Sequence, residues 1–185
     1  NGRMGRAVTR VVTASAEAEI VGACTEAGHE TVGQDVGDLA GLGPLGVLVT
    51  ADAGKALAGA DVAIDFTLPA AVAGNLAACE RAGCALVMGT TGLSHEHVAL
   101  ISQVSQSITM LYGRNLSIGV NVFTELARQA ARYLDSSWDV EITEAHHRFK
   151  LDAPSGTALQ LGEAVADERG TSLDKVLVVG RNGHT

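Results

Sequence analysis

Between residues 47 and 112 short apolar runs and amphipathic stretches alternate without interruption, and this alternation limits the possible folds more than any other feature of the chain. The runs Val47 to Val49, Asp61 to Phe66, Cys84 to Met88 and Ile108 to Tyr112 are too short for helices and rich in aliphatic residues. The stretches between them, Ala51 to Ala58, Pro69 to Ala82 and Ser94 to Gln106, carry apolar residues at helical spacing. Apolar strands joined by helices pair in parallel, because the crossover helix returns the chain to the same end of the sheet. The pattern predicts an α/β fold with a Rossmann-like, doubly wound parallel sheet covered on both faces. Ligands of such sheets bind beyond the carboxyl ends of the strands.

The helix at Pro69 starts on its proline and places Val72, Leu76 and Cys79 on one stripe, so Cys79 reads as a core residue. Upstream, a helix is predicted from Arg3 to about Ala16 and a buried strand from Glu19 to Cys24. Residues 28 to 46 are glycine-rich, contain Pro44 and read as a long surface loop. A different regime starts near Asn115: a longer helix with Ile118, Val122, Leu126 and Ala130 on one stripe, then a strand from Trp138 to Ala145. The chain opens at Asn1 in a Gly-rich turn with no strand before it, and it reads as a fragment cut at both ends.

Thirteen Lys and Arg stand against 21 Asp and Glu, a net charge of -8, which argues against general affinity for nucleic acid or anionic membranes. Three cysteines without ligand spacing predict neither a disulfide framework nor a metal site, and they point to a reducing, cytoplasmic compartment. No stretch has the length and apolarity of a membrane span.

Asn1-Gly2-Arg3-Met4-Gly5-Arg6 resembles the second half of a GxxGxxG turn, where glycines let backbone amides approach a pyrophosphate at a helix N-terminus. An ordinary glycine turn has the same appearance. Glu26 follows the predicted strand at about the 20-residue spacing at which an acidic side chain meets ribose hydroxyls. Gly89-Thr90-Thr91-Gly92 forms a small-residue turn after another strand. It suits a nicotinamide contact, a helix entry capped by Ser94, or both.

The segment 144–158, EAHHRFKLDAPSGTA, concentrates chemistry. His146, His147, Arg148 and Lys150 gather proton donors and positive charge in an acidic chain, which favours a small anionic substrate. Pro154-Ser155-Gly156-Thr157 then opens a helix whose free amides and hydroxyls could cradle a carboxylate, or simply cap the helix. Adjacent histidines on a strand point to opposite faces, so they cannot ligate one metal together.

EAHHRFKLDAPSGTAL, with NGRMGR at the start, Asp65-Phe66-Thr67 and Pro69, GTTGL at 89–93, NLSIGVN at 115–121 and Gly183-His184-Thr185, resembles the 4-hydroxy-tetrahydrodipicolinate (dihydrodipicolinate) reductase family along essentially the whole chain. The resemblance implies a dinucleotide-binding domain over 1–115, lacking its first strand, and a partial α+β substrate and oligomerisation domain over 116–185. It implies NADH or NADPH as cofactor, and reduction of a cyclic dicarboxylate in lysine and diaminopimelate biosynthesis by a homotetramer. Gly2, Arg3, Met4 and Gly5 would then line the pyrophosphate and nicotinamide region, Glu26 the adenosine ribose, and Gly89, Thr91 and Asn115 the nicotinamide side. His146 would be the general acid and Lys150 its catalytic partner, with His147, Lys150, Ser155, Gly156 and Thr157 holding the two carboxylates. Ala27 stands where some members carry an arginine that meets the 2'-phosphate of NADPH. Two other readings share the nucleotide half: a non-catalytic NAD(P)-binding module, and a different aspartate-pathway dehydrogenase.

Overall fold

The computed structural model describes residues 2–146, 148, 150, 152–180 and 183–184. The chain divides into two compact units, Asn1–Gly113 and Arg114–Thr185.

The first unit runs α1 (Arg3–Thr13), β1 (Ala23–Cys24), α2 (Val36–Ala40), β2 (Val49–Thr50), α3 (Ala53–Ala56), β3 (Val62–Asp65), a 3-10 turn (Pro69–Ala71), α4 (Val72–Ala82), β4 (Ala85–Met88), α5 (His95–Val104) and β5 (Met110–Tyr112). All of its strand pairs are parallel. They form two hydrogen-bonded groups, β1 with β2 and β3–β4–β5 with β4 in the centre. The predicted strand from Glu19 contracts to Ala23–Cys24, because only Val49 and Thr50 pair with it and a strand extends no further than its ladder.

The core lies on one side of β3–β4–β5. Leu86 and Met88, alternate residues of β4, pack with Val72, Leu76 and Cys79 of α4 and Ile101 and Val104 of α5. The stripe expected on α4 is therefore the buried one. Burial, with the nearby Cys84 and Asp65 charges, pushes the Cys79 thiol up to about 11, which suits an inert core residue. The opposite sheet face departs from the expectation of two covered faces: Val62 and Ile64 on β3 and Leu111 on β5 are each about half exposed. The helices flanking this ladder, α4 and α5, both contribute to the same core.

The glycine-rich segment 28–46 is more ordered than its composition predicts. Asp35 caps α2, its Oδ1 accepting from Gly37 N and Leu45 N at 2.7 and 2.9 Å and its Oδ2 from Gly46 N at 2.7 Å. The hydrogen bond from Leu45, joined by those from Gly37 and Gly46, holds the Asp35 carboxyl below its ordinary value. Gly41, at a φ of 76°, closes α2 in the left-handed region.

The second unit runs α6 (Ile118–Tyr133), β6 (Asp152–Ala153), α7 (Gly156–Glu168), α8 (Leu173–Val176) and β7 (Gly183–His184), with β6 and β7 antiparallel. The predicted strand Trp138 to Ala145 is not formed: residues 139–146 are exposed and pair with no strand among the described residues. An extended segment becomes a strand only where a partner takes its peptide groups. The α6 stripe is likewise reversed. Ile118, Val122 and Leu126 are more than half exposed, while Thr124 and Ala131 are buried. Small side chains on that face let α6 approach α7 closely.

Contacts between these helices pair beginning with beginning and end with end. Asn115 meets Thr157, Gln160 meets Asn121 and Thr124, and Arg132 meets Glu168. The two helices thus run in the same direction.

Candidate active-site residues

In the first unit, candidate residues lie at element ends. Gly2 caps α1 without a side-chain hydrogen bond, and the amides of Arg3, Met4 and Gly5 have no acceptor among the described residues. This leaves an open helix N-terminus of the kind that receives a phosphate. Glu26 is exposed two residues beyond β1.

Parallel register aligns Asp65, Met88 and Tyr112 across β3, β4 and β5, so the carboxyl ends of the three strands open at one edge. Asp65 is buried there, and its carboxylate accepts from Thr67 N at 2.7 Å and Asn75 Nδ2 at 2.9 Å. Gly89 follows β4 with the Phe66 ring against it, where a Cβ would stand 2.2 Å from Phe66 Cε1. Its small size is therefore required by Phe66, a reason invisible in the GTTG motif alone. Thr91 is exposed. Thr90 is 2% exposed, and its Oγ1 has no partner among the described residues.

In the second unit, the chemical residues converge on Glu144, the acid that opens the basic motif. Glu144 Oε1 accepts from Ser155 N at 2.8 Å, and Oε2 accepts a short hydrogen bond from Ser155 Oγ. Oε2 also lies 3.6 Å from His146 Nδ1. Burial pushes the Glu144 carboxyl up, but the Ser155 hydrogen bonds and the positive charges of His146 and Lys150 outweigh it and hold the group below its ordinary value. His146, Lys150 and Ser155 therefore share one electrostatic neighbourhood. His147 lies outside the described residues.

The signal for Glu144 was present in the sequence. Residues two apart on an extended segment share a side, which aligns Glu144 with His146.

Ser155 is the cap of α7, accepting from Ala158 N at 3.1 Å while donating its hydroxyl proton to Glu144. Its hydroxyl proton is thus given to Glu144 in this structure. The amides of Gly156 and Thr157 have no acceptor among the described residues, and they are the donors left at this helix start. Thr157 Oγ1 accepts from Asn115 Nδ2 at 3.2 Å, which leaves its own proton to give. Asn115 lies in the second unit, which starts at Arg114. Arg114 in turn holds Glu163 of α7 with both carboxylate oxygens at 2.9 Å.

Comparison with known proteins gives concordant results for both units. A model of the N-terminus of dihydrodipicolinate reductase matches residues 1–116, and a model of its C-terminus matches residues 119–183. The whole chain is 50% identical to the 4-hydroxy-tetrahydrodipicolinate reductase of Alkalilimnicola ehrlichii over 184 residues, 69% of that protein's length. It is 45% identical to the one of Ruegeria sp. strain TM1040 over 185 residues, again 69% of the relative. Among solved structures, dipicolinate-bound dihydrodipicolinate reductase from Paenisporosarcina sp. TG-14 is similar with a TM-score of 0.70 and 28% identity, covering 91% of this chain and 63% of that one. With one model on each unit and near-half identity running from end to end, the chain belongs to the dihydrodipicolinate reductase family.

Proposed function

We propose that this chain carries the residues for NADH- or NADPH-dependent reduction of 4-hydroxy-tetrahydrodipicolinate to tetrahydrodipicolinate, the reaction named in its relatives. The observation that carries the proposal is the gathering of His146 and the start of α7 around Glu144, in a chain whose other unit has an open helix N-terminus and a parallel sheet. The second unit thus suits a doubly negative ring substrate and the first a dinucleotide.

The nicotinamide, when bound, would supply a hydride to the unsaturated ring left once the 4-hydroxyl has departed as water. His146 donates the proton that quenches the electron density left behind, and Lys150 places an ammonium beside it. The amides of Gly156 and Thr157 and the Thr157 hydroxyl bind carboxylate oxygens, helped by Lys150 and His147. Ser155 serves by holding the helix start in place. Gly2, Arg3, Met4 and Gly5 receive the pyrophosphate, Glu26 the ribose, and Gly89, Thr91 and Asn115 the nicotinamide side. A cytoplasmic homotetramer assembled through the second unit completes the proposal. Among the described residues no helix is long and apolar enough to cross a membrane.

The test is made in the full-length protein. His146→Gln and Lys150→Ala are each expected to lower kcat by about 100-fold or more while leaving NAD(P)H affinity intact. Calorimetry with pyridine-2,6-dicarboxylate, a planar mimic of the substrate, is expected to show binding that weakens in Lys150→Ala. Cofactor binding without any turnover would instead identify a non-catalytic nucleotide module.

A further inference from the structure

We infer that Glu144 is a positioning residue for this reduction, an inference that rests on the function proposed above. Its carboxylate meets three groups with two oxygens, two of them on the cap of α7 and one on the proposed acid. Oε1 takes the Ser155 amide, and Oε2 takes the Ser155 hydroxyl and faces His146 Nδ1 at 3.6 Å.

Two consequences follow from this sharing. First, Glu144 sorts the donors at the start of α7. A helix start exposes several amides, all attractive to an anion. Glu144 satisfies the one on Ser155 and engages its hydroxyl, leaving Gly156 and Thr157 as the pair that meets a ligand. A substrate carboxylate is thereby directed to one place instead of sliding along the helix end.

Second, the same oxygen anchors the acid. His146 and Ser155 sit on different segments, and the chain between them, 147–154, includes the β6 residues Asp152–Ala153. A carboxylate bonded to the cap and 3.6 Å from the imidazole holds the two near each other, so that proton donor and carboxylate donors keep their separation. A plain structural clasp would need only the Ser155 bonds. The approach of His146 to Oε2 is the feature that links the clasp to catalysis.

Glu144→Gln, Glu144→Asp and Ser155→Ala, together with the Glu144→Gln/Ser155→Ala pair, are compared in the full-length protein with NAD(P)H and the dicarboxylate substrate. Glu144→Gln keeps the shape but offers only one acceptor oxygen and no charge. It is expected to lower kcat and to raise KM for the dicarboxylate, each on the order of tenfold, with the Kd for NAD(P)H unchanged. Ser155→Ala is expected to raise KM chiefly, and the double variant to lose less than the product of the two single effects. Glu144→Asp, which keeps the charge on a shorter arm, is expected to recover part of kcat.

Parent kcat and KM in Glu144→Gln would overturn the inference, as would single effects that multiply without coupling. If Glu144→Gln fails to fold, Glu144→Asp and Ser155→Ala decide alone. Normal KM in Ser155→Ala together with parent kcat in Glu144→Asp then overturns it. An unsubstituted protein without reductase activity removes the proposed function and this inference together, whereas an active protein indifferent to Glu144 removes only the inference.

Discussion

Replacing Gly89 with alanine tests the claim that Phe66, and not only a ligand, dictates glycine at the end of β4. The added Cβ would stand 2.2 Å from Cε1, 2.7 Å from Cδ1 and 3.0 Å from Cζ of Phe66. Carbon atoms rest at about 3.5 Å or more, so the ring edge must retreat by about 1.3 Å. Phe66 is half-buried and follows the buried Asp65, whose carboxylate is fixed by two hydrogen bonds, so the ring cannot move freely with its backbone. Overpacking of this kind costs about 1–3 kcal/mol. Gly89 has no left-handed φ, so alanine suffers no backbone strain and recovers about 0.4–1 kcal/mol from a less flexible unfolded chain. The net loss is about 1–2 kcal/mol, a fall in Tm of about 3–8 °C. Phe66→Leu removes the ring atoms nearest the new methyl, so the double variant should be more stable than the sum of the single effects by about 1 kcal/mol. Thermal unfolding of the four proteins supplies the comparison. An unchanged Tm in Gly89→Ala, or strict additivity in the cycle, would refute the reasoning.

Three further outcomes follow from the same structure. Thr90→Val removes a buried hydroxyl without a partner among the described residues while keeping the volume, so the denaturant midpoint should rise by the equivalent of about 1 kcal/mol; a fall would mean that the hydroxyl has a partner. Gly22→Ala drives a Cβ to 1.9 Å from the Ala56 carbonyl oxygen, which is backbone and cannot swing aside, whereas Gly162→Ala meets the tip of Leu173 at 2.9 Å; melting should show a severe loss in the first and a mild one in the second, and equal losses contradict this. Because the Glu144 carboxyl lies below its ordinary value of 4.5, its contribution to stability is complete above that pH and disappears as pH falls through the lower folded value. The stability gap between the parent and Glu144→Gln should accordingly narrow in acid, as followed by denaturation at several pH values, and a gap constant down to pH 3 is incompatible with this assignment.

The alternation between residues 47 and 112 was legible because each strand and helix there is fixed by local pattern: Val72, Leu76 and Cys79 repeat at helical spacing and do become the core. What escaped depends on partners. Residues 139–146 have strand composition, but a strand exists only where a second one pairs with it. On α6 the large residues Ile118, Val122 and Leu126 stay exposed while small ones pack, because closeness to α7 matters there more than side-chain area. The helix Val36–Ala40 was hidden by glycines although its start and stop signals, Asp35 and Gly41, were in view. At the site, the cationic residues announce themselves by type. Glu144 signals itself only through its two-residue spacing from His146, and the sharing of its oxygens with the Ser155 cap, eleven residues on, depends on tertiary contact that no local pattern encodes.

The common direction of α6 and α7 means that their dipoles do not cancel. Each helix start carries the equivalent of about half a positive charge, and the two starts, at Ser117 and Ser155, lie at the same end of the pair. A small dianion approaching that end is pulled by a field built into the peptide backbone, one that no proton can switch off. Its capture rate should therefore drop with added salt and, as alkalinity discharges the side-chain cations, fall to a floor set by the peptide dipoles and not to zero.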